Sequence, residues 1–235
     1  PFASLLEGAA EAARLASEPD MLRNAAMLDA MIGVYERDIL GRPQVAVLPY
    51  SQALSRFPAH LQQLDMESNG KRTDRHGRVV PLPTGPTVFG EPGTNGQHSF
   101  YQHLHQGTDV VPLQFIGFRQ NQTSFDPVFE GSTARRKLNA NLAAQITAFA
   151  LGKDDTDTNK VFPGERPSSL LTGEELDPAA LGALLAHYEN KVMFQGFAWD
   201  LNSFDQEGVQ LGKKLTATVL AEGGPADPVL AAYAR

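Results

Sequence analysis

Residues 44–49 are Gln44-Val45-Ala46-Val47-Leu48-Pro49, a short apolar run rich in β-branched side chains. Such a run is typical of a buried strand in a sheet that is covered on both faces. An amphipathic segment follows, with apolar residues at spacings of three and four: Leu54, Phe57, Leu61 and Leu64. This periodicity predicts a helix with Pro58 in its first turn. A buried strand followed by a helix favours an α/β fold.

Predicted strands and helices continue to alternate along the rest of the chain. Further strands are predicted at 87–89, 110–118 and 169–171, and Pro112 inside the second of these suggests a sheet edge or a bulge. Helices are predicted at 5–17, 20–40, 100–104, 133–151, 177–195, 209–222 and 227–234. The sequence therefore predicts one domain, with a mainly parallel sheet flanked by helices and with helices at the C-terminus.

Composition narrows the possible functions. The 235 residues are 42% hydrophobic and 20% charged, which is typical of a globular protein with a real core. A net charge of −7 argues against non-specific nucleic-acid binding, and the absence of cysteine excludes disulfides and thiolate chemistry. We expect no membrane span and no secretory signal, and hence a cytoplasmic location. Because the chain begins at Pro1, we expect a processed chain or a fragment.

The first candidate site lies at the end of the amphipathic helix, in Gln63-Leu64-Asp65-Met66-Glu67-Ser68-Asn69-Gly70-Lys71. Gln63 and Glu67 are four residues apart, so an amide and a carboxylate share one helix face. Gly70 is expected to stop the helix in a left-handed conformation. The alternative is a solvated helix end with a surface ion pair between Glu67 and Lys71.

The second candidate is the glycine-rich loop from Gly90 to His98. Glycines at 90, 93 and 96 could present backbone N–H groups to an anion, but the loop lacks both common nucleotide-binding patterns and could be a plain turn. His98 begins the next predicted helix, where a neutral imidazole is suited to proton transfer, although a structural histidine is the alternative. The spacing of His98, His103 and His105 does not favour a metal site.

The third candidate is the segment from Ser203 to Lys214. Gln206 and Lys213 are seven residues apart, which places them on one face if both are helical. The Lys213 ammonium could then donate to sugar hydroxyls or to a phosphate. A lysine on a solvated helix face is the alternative.

Together these stretches resemble the phosphoglucose isomerase family. The resemblance covers almost the whole chain in the family's order and rests on six segments: 61–71, 84–86 with 89–102, 105–108, 164–168, 191–200, and 202–206 with 208–209 and 211–213. Departures from the family pattern are Glu165 and Ser169 in place of asparagines, and Gln210 in place of a glutamate.

The resemblance implies a three-layer sugar-isomerase (SIS-type) α/β domain. Residues 1–235 correspond to the C-terminal SIS-type domain of the family and its C-terminal helices. The family's N-terminal subdomain, with its serine/threonine phosphate loop and Gly-Gly-Arg motif, has no counterpart here. We therefore expect the isolated chain to have little or no activity.

The activity implied is the interconversion of glucose 6-phosphate and fructose 6-phosphate through a cis-enediol, without a metal or an organic cofactor. By motif position Glu67 is the proton-transferring base, and His98 and Lys213 assist ring opening. Gln63 and Gln206 match substrate contacts. In the family, the histidine comes from the partner subunit of a homodimer.

Two alternatives stay open. The chain could be a non-catalytic sugar-phosphate-binding or interaction domain, since the phosphate loop and the arginine are missing. It could also be the isomerase part of a transaldolase–isomerase fusion. The coding sequence upstream of Pro1 would distinguish these cases.

Overall fold

The structure, a computed structural model, describes residues 1–205, 207–221, 224 and 226–234. Its α-helices are α1 (Phe2–Ala16), α2 (Ala25–Val34), α3 (Phe57–Leu61), α4 (Tyr101–Gln106), α5 (Ala134–Leu151), α6 (Pro178–Ala198), α7 (Gln210–Leu220) and α8 (Pro228–Tyr233). Its strands are β1 (Gln44–Pro49), β2 (Thr87–Phe89), β3 (Leu113–Phe118), β4 (Val128–Phe129), β5 (Ser132–Thr133) and β6 (Ser168–Gly173). Two π-helical turns, Tyr35–Ile39 and Gln62–Glu67, extend α2 and α3.

Four strands form one sheet in the order β2-β1-β3-β6, and all three pairings are parallel. Strands β4 and β5 form a separate antiparallel pair. The predicted parallel sheet is therefore confirmed. The interpretation of Pro112 was wrong, because β3 is an interior strand and Pro112 precedes its first residue. There the carbonyl of Pro112 accepts a hydrogen bond from the Ala46 N–H at 3.0 Å, and the proline, which has no N–H to donate, stands outside the strand.

Each face of the sheet buries its own core, because successive side chains of a strand point to opposite faces. On one face, the packed residues come from β1, β3, α4 and α5: Ala46, Leu48, Leu113, Phe115, Tyr101, Leu104, Leu142 and Phe149. On the other face, they come from β1, β3, α3 and α6: Val47, Ile116, Phe118, Phe57, Leu61, Leu184 and Tyr188. The result is the expected three-layer α/β architecture.

Helix α6 begins where the sequence predicted and continues to Ala198. The Asp177 carboxylate accepts a hydrogen bond of 2.7 Å from the Ala180 N–H, and Pro178 occupies the first turn. The helix packs along both α1 and α2, and Asn69 and Ser203 lie against its C-terminal half. Within the described residues, no helix is both long and apolar enough to cross a bilayer.

Candidate functional site

The first predicted site forms on the π-helical turn Gln62–Glu67. Asp65 points inward and is only 7% exposed, whereas Gln63 is exposed and Glu67 is half-buried. Gln63 and Glu67 are therefore both more accessible than Asp65, and the helix face that their spacing predicts for them stays a prediction. The wider π turn was not predicted. Such turns are rare and occur frequently at functional sites.

The predicted left-handed conformation of Gly70 is wrong, since Gly70 is not among the positive-φ glycines. The glycine instead allows a close approach. Its N–H donates to the Met66 carbonyl at 3.0 Å, and a Cβ at this position would lie 2.3 Å from the same oxygen. The alternative ion pair between Glu67 and Lys71 does not form either, because Lys71 pairs with Asp205.

The structure joins the first and third candidate stretches. The Ser203 hydroxyl donates to Asn69 Oδ1 at 2.7 Å, and Asn69 Nδ2 donates to the Val192 carbonyl at 3.0 Å. Lys71 Nζ donates to the Asp205 carbonyl at 2.6 Å and also to its carboxylate. Asn69 is fully buried. These contacts hold the end of the Glu67 turn against α6 and the segment 202–205.

Two predicted residues follow this segment. Lys213 lies on α7 and is exposed. Gln206 lies outside the described residues, so its predicted place beside Lys213 is not described.

The second candidate stretch lies against the carboxyl end of β1. A Cβ on Gly90 would lie 1.9 Å from the Val47 carbonyl oxygen, and a Cβ on Gly93 would lie 2.5 Å from the Tyr50 ring. These two glycines are thus needed for close packing. His98 is exposed and ends a 3₁₀ turn, Asn95–His98, so α4 begins three residues after it.

Glu67 and His98 adjoin elements on opposite faces of the sheet. The turn bearing Glu67 continues α3, which packs on one face of the sheet, while α4 follows His98 and packs on the other. Met66 Sδ lies 3.5 Å from the backbone nitrogen of Val88 in the middle of β2, and His98 follows the loop that leaves the end of β2. The two residues are therefore attached to different helical layers of the fold.

A buried polar cluster between α2 and α6 was missed by the sequence reasoning. The Asp29 carboxylate accepts hydrogen bonds from Lys191 Nζ at 3.0 Å and from Gln114 Nε2 at 2.7 Å, and lies 3.0 Å from His187 Nε2. Burial alone would raise the pKa of Asp29, but the Lys191 ammonium and His187 outweigh it and hold that pKa well below its ordinary value. A signal was available, because His187, Lys191 and Gln195 recur every four residues and so share one face of the helix.

Asp65 extends this cluster toward the first candidate site. Burial raises its pKa to about 6, an effect that the Lys191 ammonium opposes and the Asp29 carboxylate reinforces. Within the described residues, no group of three histidine or carboxylate side chains is arranged to hold a metal ion.

Comparison with known proteins identifies the family to which this chain belongs. The family model described as phosphoglucose isomerase matches residues 1–229. Glucose-6-phosphate isomerase from Treponema pallidum (strain Nichols) is 67% identical over 233 residues, which are 99% of this chain and 43% of that protein. Glucose-6-phosphate isomerase from Treponema denticola is 64% identical over 232 residues, 99% of this chain and 44% of that protein. The chain thus spans about two fifths of the length of the curated relatives that it matches.

Two solved structures superpose on most of this chain. A glucose-6-phosphate isomerase from Chlamydia trachomatis superposes with a TM-score of 0.89 at 51% identity, over 92% of this chain and 42% of that one. A hypothetical protein from Thermus thermophilus superposes with a TM-score of 0.77 at 28% identity, over 93% of this chain and 50% of that one.

Proposed function

This chain belongs to the phosphoglucose isomerase family, and we propose that it is part of an enzyme that interconverts glucose 6-phosphate and fructose 6-phosphate. The observation that carries the proposal is the accessibility of Gln63 and Glu67 on one turn whose Asp65 is buried, within a chain 67% identical to a glucose-6-phosphate isomerase. Residues 1–235 are then the C-terminal SIS-type domain and C-terminal helices of a longer protein.

Glu67 is the base in this proposal. Its carboxylate removes the proton from C2 of the open-chain aldose and returns it to C1, so that a cis-enediol lies between aldose and ketose. The hydrogen moves within one molecule, so the reaction consumes no oxidant or reductant, and we expect no metal or organic cofactor. The half-buried position of Glu67 supports this role, since the carboxylate is accessible to a substrate yet held by a packed turn.

Gln63 contacts the substrate from the same face, and Gln206 does so near the phosphate. Opening of the pyranose ring is assisted by His98 and Lys213. The attachment of the segment 202–205 to the Glu67 turn supports a shared site, because it brings the chain just before Gln206 toward Asn69 and Lys71.

The proposed assembly is a homodimer in which His98 reaches the site from the partner subunit. The packing of α3 and α4 on opposite faces of the sheet supports this arrangement, because Glu67 follows α3 and His98 precedes α4. The remaining groups, a phosphate-binding loop and an arginine that stabilises the enediolate, belong to the longer protein. Residues 1–235 alone are therefore expected to be nearly inactive, and the complete enzyme is expected in the cytoplasm.

The test is Glu67→Gln in the complete protein. Turnover in a coupled assay should fall at least about a thousandfold, because the amide cannot accept the C2 proton, while the melting temperature stays close to wild type. Glu189→Gln, at an exposed glutamate on α6, is the matched control and should retain full activity. Near-normal turnover by the Glu67 variant would remove the base from the mechanism.

A further inference from the structure

We propose that Asn141 is a positioning residue for His98, which it holds in place through Gln97. The inference rests on the ring-opening role proposed for His98 above. It adds to that role a residue of α5 that lies 44 positions after Gln97 in the chain. Asn141 acts by fixing the end of the glycine-rich loop 90–98 on the packed layer beneath it.

The Asn141 side chain joins this loop to the end of β1. Asn141 Oδ1 accepts one hydrogen bond from Gln97 Nε2 at 2.7 Å and another from the Tyr50 hydroxyl at 3.1 Å. Tyr50 follows β1 directly and is fully buried, and its hydroxyl oxygen lies 3.4 Å from that of Tyr101 on α4. One amide oxygen therefore connects Gln97 to a buried network that spans β1, α4 and α5.

The loop is attached beside the same tyrosine at a second point. The Gly93 N–H donates to the Pro49 carbonyl at 3.0 Å, and Gly93 lies so close to the Tyr50 ring that a Cβ there would be 2.5 Å from it. The segment from Gly93 to Gln97 is thus held at both ends, by a backbone contact at the first residue and by the Asn141 side chain at the last.

His98 lies between two anchored residues. Gln97 before it is half-buried and hydrogen-bonded, and the Phe100 ring after it packs edge-on against the Phe89 ring, with centroids 5.2 Å apart. His98 itself is exposed, so the position of its imidazole depends on the backbone that carries it. The hydrogen bond between Gln97 and Asn141 fixes that backbone next to the proposed acid–base group.

A glycine-rich loop needs such an anchor, because glycine has more backbone freedom than other residues. In the proposed homodimer, the imidazole must reach the substrate in the partner subunit, and misplacement of a catalytic group by about 1 Å can cost a hundredfold in rate. Loss of the Asn141 acceptor should therefore lower kcat about tenfold or more. KM should change less than about threefold, since the groups that bind the substrate are unaltered.

The first test compares two replacements of Asn141 in the complete protein. Asn141→Leu has nearly the same shape but no acceptor, and should show the loss in kcat. Asn141→Asp keeps an acceptor for both hydrogen bonds and should retain kcat within about threefold of wild type. Gln97→Met removes the donor alone and should reproduce the loss, with little further effect when it is combined with Asn141→Leu. Thr147→Val, at an exposed position of the same helix, is the control.

The second test distinguishes positioning of His98 from general damage to the subunit. Mixed dimers of Asn141→Leu and Glu67→Gln subunits contain one site with an intact Glu67 and a correctly held His98. Random exchange makes half of the dimers mixed, so activity should rise to about one quarter of wild type. A mixture of Asn141→Leu with His98→Ala should gain nothing, because each site then has an absent or a misplaced His98.

Two results would overturn the inference. One is wild-type turnover by both Asn141→Leu and Gln97→Met. The other is failure of the mixture with Glu67→Gln to recover, since a subunit damaged throughout would also have an impaired Glu67. The proposed function fails on a different result, which is near-normal turnover by Glu67→Gln or His98→Ala alone.

Discussion

Single residues within one turn have different environments. Asp65 and Glu67 are two positions apart, yet Asp65 is buried and Glu67 is only half-buried. Burial raises the pKa of Asp65 to about 6, and this has a measurable consequence for stability.

Replacing Asp65 with Asn should stabilise the protein at pH 8 but not at pH 4. Below its ordinary pKa of 3.8, the Asp65 side chain is protonated in both the folded and the unfolded state. Its titration then does not change the free energy of unfolding. As the pH rises from 3.8 to 6, only the unfolded state releases the proton, so stability falls. Above about pH 6 the carboxylate is ionised in both states, and the raised pKa lowers the free energy of unfolding by roughly 3 kcal/mol.

Urea denaturation of the wild type and the Asn variant at both pH values measures this difference. Asp154→Asn, at an exposed position, should change the free energy of unfolding by less than about 0.5 kcal/mol at either pH. An Asn variant whose gain in stability is the same at pH 4 and pH 8 would contradict the raised pKa.

Glu165 occupies an unfavourable backbone conformation. Its φ is +52°, in the left-handed region that asparagine tolerates better than glutamate. Glu165→Asn should therefore stabilise the protein by roughly 0.5–1 kcal/mol. Glu165→Gln keeps the same backbone preference and should show no gain in thermal unfolding. Equal melting temperatures for the Asn and Gln variants would rule out backbone strain as the cause.

At the scale of elements, the turn bearing Glu67 is held by hydrogen bonds to residues that are distant in the sequence. The Asn69 side chain links this turn to α6 through Val192 and to the C-terminal segment through Ser203. We expect this link to position Glu67, because misplacement of a catalytic group by about 1 Å can cost a hundredfold in rate.

Asn69→Ala in the complete protein should lower kcat about tenfold or more and destabilise the fold by roughly 2–3 kcal/mol, since it leaves buried polar groups unpaired. Ser203→Ala should have a smaller effect on both. In a double-mutant cycle the two changes should be coupled by about 1 kcal/mol. Ser55→Ala, at an exposed serine, is the control. Strictly additive effects of the two changes would show that the side chains do not act together.

At the scale of the whole molecule, the proposed catalytic residues adjoin helices on opposite faces of the sheet. Glu67 belongs to the layer of α3 and α6, and His98 precedes the layer of α4 and α5. In the homodimer that we propose, His98 of one subunit acts together with Glu67 of the other.

This arrangement predicts complementation between two inactive variants of the complete protein. Mixed dimers of Glu67→Gln and His98→Ala subunits contain one site in which both residues are intact. Random exchange makes half of the dimers mixed, so about one quarter of the wild-type activity should return. Each variant incubated with itself is the control. If the mixture stays as inactive as its components, His98 acts within its own chain.

The local sequence pattern was sufficient to predict most of the helices and strands. The strand at 44–49, the helix beginning near Pro58 and the Asp177 cap all formed as predicted. Each depends on residues within a few positions of one another, through periodicity, proline geometry or a capping side chain. The long motifs around Glu67 and His98 likewise identified the family from sequence.

Other features became visible only in the folded chain. Asn69 and Ser203 are 134 positions apart, and so are Lys71 and Asp205. The interior place of β3 also depends on which segments pack together. So do the burial of Asp65 and the packing of α3 and α4 on opposite faces of the sheet. No local spacing encodes these relations, because a hydrogen bond or a buried charge is determined by neighbours that the chain brings together only when it folds.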